Sequence, residues 1–485
     1  MRKVMRKTDA DSVRIHPMMS KEFESQMDRV TGTAVRGGNS VTFLPSGVQS
    51  YEKRWELLAR AQQSIHIVAF SMMRDDTSRR LQDLLCEKLR QGVAVRMIFD
   101  DAVMYSTLSG SLLKAVVKAG GEAIRYHKLF RGIVPDLRRG HPFRQLAQIF
   151  KLKQKRRFHE KYLVVDGREA ILGGINWGNK YAFGGVKPKA WRDTDMHLSG
   201  PVVADIQDAF VRYFFFYRAM DQEYEQRKDK GFSREAVYRQ AEDAERHFRQ
   251  ENAAALFPPL SQTGSERIRY IAHKPYDRQQ LPLTDACLML LRSARRYIFW
   301  GCHGIRPPRV IAESLVDAFR RGVEVCLITN SRRSAHTLMF FGLLGWMHWE
   351  SHNHYRYLLE NGVRIFEWQK PGAFHSKNMV IDDAVASIGS YNIARGSAFH
   401  HTESNVIVYG GDFPAQVRRQ FEIDFKDCRE LSTEEVKPPW AWADPYRRPL
   451  NDRNFLINTT LLPDKVRRDL NVMLQESRRE KERDS

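Results

Sequence analysis

The chain has 485 residues, 42% of them apolar and 28% charged, a globular balance that excludes wholesale disorder and leaves length for a large core. At roughly 150 residues per unit, about three structural units are expected. Lys and Arg outnumber Asp and Glu, 78 to 58, and the net charge of +20 predicts attraction to nucleic acid, an acidic membrane surface or a phosphate-bearing substrate.

Residues 1–40 form a polar N-terminal tail without the apolar core of a signal peptide. A first half is expected over 41–220. Its run Ser64 to Phe70 reads as a strand, the Leu81, Leu84, Leu85 and Leu89 stretch as a helix, and Gly92 to Phe99 as a second strand. Residues 221–265 are a charged helical connector broken by Pro258-Pro259. A second half, 266–430, repeats the order: strand Tyr297 to Trp300, helix through Ile311, Leu315 and Phe319, strand Gly322 to Ile328. Residues 431–485 form a C-terminal extension. The five cysteines are scattered with no CxxC pair, which argues against disulfides and a Cys zinc site and for a reducing compartment. No apolar run reaches the ~18 residues of a membrane-spanning helix.

The repeat carries the chemistry. His159, Lys161, Asp166 and Asn176 follow Phe158; His375, Lys377, Asp382 and Asn392 follow Phe374. In both sets Lys lies two, Asp seven and Asn seventeen residues after His. Residues two apart on an extended segment share a face, so each His and Lys can meet one anion. A phosphoryl centre needs a nucleophile, cations for its oxygens and an acid for the leaving oxygen, and two His, two Lys and two Asn supply all three. Asp166 and Asp382 sit at the odd offset and are expected to brace the following turn. No metal or other cofactor is required.

The paired motifs resemble the HKD motifs of the phospholipase D superfamily over about 360 residues. That resemblance implies an α/β fold: two pseudo-twofold-related αβα sandwich halves, each with a mixed, largely parallel sheet, sharing one site. It implies His159 as nucleophile through a phosphohistidine and His375 as acid and base. Lys161, Lys377, Asn176 and Asn392 would hold the phosphate. A carboxylate after each motif would orient a His ring: Glu403 in one half, and in the other Asp195, with Asp193 the alternative. The segments Trp191 to Pro201 and Glu403 to Val408 resemble the bacterial cardiolipin synthase branch, although Gly301-Cys302-His303-Gly304 departs from its aromatic-rich stretch.

Two insertions separate the halves. Residues 129–157 are basic and amphipathic, with Phe143 and Phe150; residues 337–349 carry Phe340, Phe341, Trp346 and Trp349. Both fit an anchor on anionic lipid, though 337–349 reads equally as a buried helix. His348, His352 and His354 read as surface or interfacial. The expected enzyme is a phosphatidyltransferase, peripheral on the inner face of the cell membrane, with a phospholipid donor and an alcohol or phospholipid acceptor. Hydrolysis to phosphatidic acid, a metal-independent nuclease and a non-catalytic lipid-binding scaffold are the alternatives.

Overall fold

The computed structural model describes residues 16–101, 110–126, 157–226, 233–274, 281–335, 343–438 and 444–446. In chain order the elements begin with α1 (Lys21–Thr31), β1 (Arg36–Leu44), α2 (Gly47–Arg60), β2 (Ser64–Ala69), α3 (Asp76–Arg90), β3 (Ala94–Asp100), α4 (Gly110–Lys118), β4 (Glu122–Tyr126), β5 (Tyr162–Val165), β6 (Glu169–Gly173), α5 (Asn179–Ala182) and β7 (Asp195–Ser199). Helices α6 (Val202–Gln226) and α7 (Arg234–Leu256) follow. The second set is β8 (Glu266–His273), α8 (Pro282–Ser293), β9 (Tyr297–Gly301), α9 (Arg309–Arg320), β10 (Glu324–Asn330), α10 (Arg332–Ala335), α11 (Leu343–Glu360), β11 (Arg364–Trp368), β12 (Asn378–Ile381), β13 (Val385–Gly389), α12 (Arg395–Phe399), β14 (Glu403–Tyr409), α13 (Phe413–Phe425) and β15 (Cys428–Glu430).

The sheet order displays the duplication. From the central β1–β8 pair, one half reads β1-β7-β6-β5-β2-β3-β4 and the other β8-β14-β13-β12-β9-β10-β11, with β15 added at the edge. β1 and β8 pair only near their starts, across a register shift between Arg36 and Asn39. Buried Asn39 fills that corner: its Nδ2 donates to the Arg36 and Glu266 carbonyls, and its Oδ1 accepts from Val202 N–H. The sheets then face each other. Ala170, Leu172, Met196 and Leu198 of β6 and β7 share a buried cluster with Ala386, Ile388, Val406 and Val408 of β13 and β14. Helices α6 and α13 pack into the same cluster. Alternate residues of each sheet face outward, Ile65 and Ile67 toward α3, Ile298 and Trp300 toward α8 and α9.

The αβα halves and mixed sheets are as anticipated, but the sheets are not largely parallel. Parallel pairing is confined to β2-β3-β4 and β9-β10-β11, where helices make the crossovers. The inner strands are joined by tight turns or long returns and pair antiparallel. The β5–β6 and β12–β13 turns hold Asp166 (φ 53°) with Gly167 (φ 62°), and Asp382 (φ 59°) with Asp383 (φ 56°). Two successive positive φ values suit a hairpin turn matched to strand twist.

Candidate active site

Each motif enters an extended segment beside the carboxyl end of β2 or β9, the usual place for a site in such sheets. Phe158 and Phe374 anchor the two segments. Both rings are buried in the inter-sheet core, and their N–H groups donate to Asp100 Oδ2 (3.0 Å) and Asn330 Oδ1 (2.8 Å) at the ends of β3 and β10.

The halves then cross over. His159 N–H donates to the Thr402 carbonyl, and His375 N–H to the Arg192 carbonyl. The ring of His159 thereby meets Glu403 of the second half, with Nδ1 at 2.9 and 3.1 Å from its carboxylate oxygens. The ring of His375 meets Asp193 of the first half, Nδ1 to Oδ2 2.5 Å. Each ring is oriented by the other half, leaving Nε2 as the nitrogen for chemistry.

Asp195 does not orient a histidine. It is buried under α2, where Arg54 (2.7 Å) and Ser50 (2.5 Å) bind Oδ2 and Ile175 N–H (3.2 Å) binds Oδ1. The sheet register explains the correction. Gly173 pairs with Asp195 as Gly389 pairs with Asn405, so Asp193 is the counterpart of Glu403. Writing Asp193-Thr194-Asp195 over Glu403-Ser404-Asn405 puts a carboxylate in both halves only at the first position. That signal was present in the sequence.

Asp166 accepts from the N–H groups of Gln62, Gln63 and Ser64 at the start of β2. Asp382 accepts from Arg295, Arg296 and Tyr297 at the start of β9, and from His16 Nε2 at 2.8 Å. Burial raises the Asp382 proton affinity, but His16 and the three N–H groups outweigh it and hold the carboxyl below its ordinary range. Asn176 is fully buried, its Oδ1 taking Ser71 N–H (3.0 Å) and its Nδ2 reaching the Tyr181 hydroxyl (3.0 Å). Asn392 is half-buried, with Oδ1 3.5 Å from Cys302 Sγ.

The centre is buried, with two lysines beside the two histidines. Burial, then Lys161 and Lys377, hold the His159 ring well below its ordinary pKa; burial, Lys377, Lys161 and His159 do the same to His375. Burial lowers Lys161 to about 7 and also lowers Lys377. Burial raises Asp193 to about 6. The ring walls differ: Phe70 edges onto His159 at 4.8 Å, while His303 edges onto His375 at 5.3 Å. Sequence reasoning missed Phe70, His303, Ser390 and Ser397, because only the fold brings them to the motifs.

The lipid-contact candidates Phe143, Phe150, Phe340 and Phe341 lie outside the described residues, as do the side chains of Trp346, His348 and Trp349. His354 is not a surface residue: it is buried, and its Nδ1 lies 2.9 Å from the Tyr446 hydroxyl. Among the described residues no helix is long and apolar enough to cross a membrane.

A family model described as cardiolipin synthase, PLD-like domain, matches residues 55–184 and 288–425. The chain belongs to that phospholipase D-like family. It is similar to cardiolipin synthase 2 of Bacillus anthracis, 26% identical over 83% of this chain and 68% of that protein. It matches the cardiolipin synthase of Geobacillus kaustophilus (strain HTA426) at 26% over 81% and 68%. The phosphatidylserine synthase structure from Haemophilus influenzae Rd KW20 shares the fold, with a TM-score of 0.58 at 11% identity over 93% of this chain and 99% of that one. The protein is therefore a phospholipase D superfamily enzyme, and at family level its chemistry is phosphatidyl transfer between phospholipids.

Proposed function

We propose that the enzyme makes cardiolipin-type products by a two-step exchange on His159 without a metal. The supporting observation is the crossed pair of carboxylate-anchored histidines with two buried lysines between them. In the first step His159 Nε2 attacks the donor phosphorus. The N–P bond forms, the P–O bond to the leaving alcohol breaks, and His375, neutral at rest but able to hold a proton once the anionic phosphate lies between the lysines, gives that proton to the leaving oxygen. Glu403 balances the positive charge that the phosphorylated ring acquires. In the second step neutral His375 takes the acceptor hydroxyl proton, the acceptor oxygen attacks phosphorus, and His159 departs neutral.

Glu403 is suited to a persistent cationic ring, because the Ser390 and Ser397 hydroxyls each donate to it at 2.5 Å. Asp193 and Lys377, whose Nζ is 2.9 Å from His375 Nδ1, suit a ring that gains and loses a proton. Lys161 and Lys377 take the place of a metal on the phosphate oxygens, with Asn392 and Asn176 beside them. The substrate sits on an anionic phospholipid membrane, the +20 charge drawing a peripheral enzyme to the inner face of the cell membrane.

Phosphatidylglycerol liposomes with EDTA, analysed by lipid mass spectrometry beside His159→Ala, test this reading. Cardiolipin plus glycerol, absent with the variant, supports it. Phosphatidic acid alone makes the enzyme a hydrolase. DNA cleavage with no lipid turnover replaces the lipid reading.

A further inference from the structure

We propose that the nucleophile's side of the site is also a zinc-binding inhibitory site, formed by His159, Glu403 and His401. Nothing in the transfer chemistry above uses His401. It precedes Glu403 by two residues, and the crossover that delivers Glu403 to His159 delivers His401 too, ring centroids 5.8 Å apart. One ligand atom from each of the three residues falls within 4.8 Å of the others, and this is the one such trio among the described residues.

The two separations from Glu403 suit a metal. His159 Nδ1 is 3.1 Å and His401 Nδ1 3.8 Å from Glu403 Oε1. Ligands ~2.1 Å from a tetrahedral zinc stand about 3.4 Å apart, between those two values. Two imidazoles and a carboxylate are a recognised zinc donor set that leaves a fourth position open. His401 Nδ1 is buried and makes no hydrogen bond among the described residues. The Ser390 and Ser397 hydroxyls fix the carboxylate from behind, as outer-shell partners do at zinc sites. Lys161 and Lys377 oppose a cation here, which makes the site reversible rather than structural.

Coordination takes the Nδ1 lone pair of the neutral His159 ring, so the ring's one proton moves from Nδ1 to Nε2. The nitrogen that must attack phosphorus then carries hydrogen instead of a free lone pair, and turnover stops. The other half offers no equivalent: the residue two before Asp193 is Trp191, whose ring lies 5.2 Å from His375.

Inhibition rests on the proposed chemistry, but binding does not, so the test reads both. Full-length protein stripped with EDTA is titrated with zinc chloride by calorimetry, and with cobalt(II) by visible absorption. One high-affinity site per chain with a tetrahedral cobalt spectrum is expected. Both should be lost in His401→Phe and kept in His303→Phe. Zinc should inhibit lipid turnover by the parent at least 10-fold more strongly than turnover by His401→Phe, reversibly by EDTA. Zinc affinity equal in the parent and His401→Phe, or no binding below millimolar zinc, overturns the proposal. His401-dependent binding without any lipid turnover keeps the site and sinks the transferase reading instead.

Discussion

The two catalytic histidines occupy equivalent places in a duplicated fold, yet their surroundings are unlike. Around His159 the partner carboxylate is Glu403, held by two serine hydroxyls and flanked by Phe70 and His401. Around His375 it is Asp193, which takes Thr194 N–H at 2.8 Å and is flanked by His303 and Trp191. Ser390 has its counterpart in Gly174, and the reason is space. A Cβ on Gly174 would come within 2.2 Å of Asp193 Oδ1. A short acid set close to the backbone needs glycine; a longer acid set further out admits a serine that binds it. Duplication supplied the frame, and divergence of a few flanking residues separated a ring suited to holding phosphorus from a ring suited to moving a proton.

Removing each histidine should break the symmetry most. His159→Ala is expected to lose turnover by at least about 10⁴-fold with every substrate, since no nucleophile remains. His375→Ala should be as slow with phospholipid. With a p-nitrophenyl phosphodiester it should release one equivalent of nitrophenol in a burst, because that leaving group needs no acid. Equal behaviour of the two variants with the activated substrate would contradict distinct roles.

The orienting carboxylates come next. Glu403→Gln and Asp193→Asn should each lower kcat about 10²- to 10⁴-fold with little change in melting temperature. Asp195→Asn should instead lower stability, because it leaves Arg54 buried without its charge partner. A kinetic defect confined to Asp195→Asn would restore the assignment that the geometry overturns.

The motif aspartates should separate stability from chemistry. Asp382→Ala strands three buried or partly buried N–H groups at the start of β9, a cost of about 3 kcal/mol readable by denaturant unfolding, whereas Asp166→Ala should cost less because the exposed Gln62 and Gln63 N–H groups can bond water. The Asp382 carboxyl has a depressed pKa when folded. Its contribution is therefore complete above the unfolded value of about 3.9 and is lost as pH falls through the folded value. Asp382→Asn should flatten that acid limb.

The smallest effect is in pH. Lys161 titrates at about 7, so its charge is present below pH 7 and lost above it. KM for anionic substrate should rise as pH climbs through 7, and Lys161→Arg should shift that rise upward.

Much of this was legible in the chain. Spacing of 2, 7 and 17 residues in two copies marked the histidines and lysines, and the strand-helix-strand alternation marked the halves. The crossover was not legible. A carboxylate following one motif can serve either ring, and only the backbone bonds from His159 to Thr402 and from His375 to Arg192 decide it. The sheet's antiparallel interior was hidden for a similar reason: buried strands are apolar throughout whichever way their neighbours run. Phe70 and His303 lie at strand ends about 90 residues before their histidines in one half and 70 in the other, a distance no local pattern spans.

The central claim is that phosphorus is carried by His159 while His375 only moves protons. His375→Ala, mixed in EDTA with the p-nitrophenyl ester of phosphatidic acid, whose leaving group needs no acid, then quenched at neutral pH and digested, should yield a peptide containing residue 159 bearing a phosphatidyl group on its histidine. The adduct should be absent from His159→Ala. An adduct on His375 in the His159→Ala protein, with none on His159 in the reciprocal variant, would contradict it.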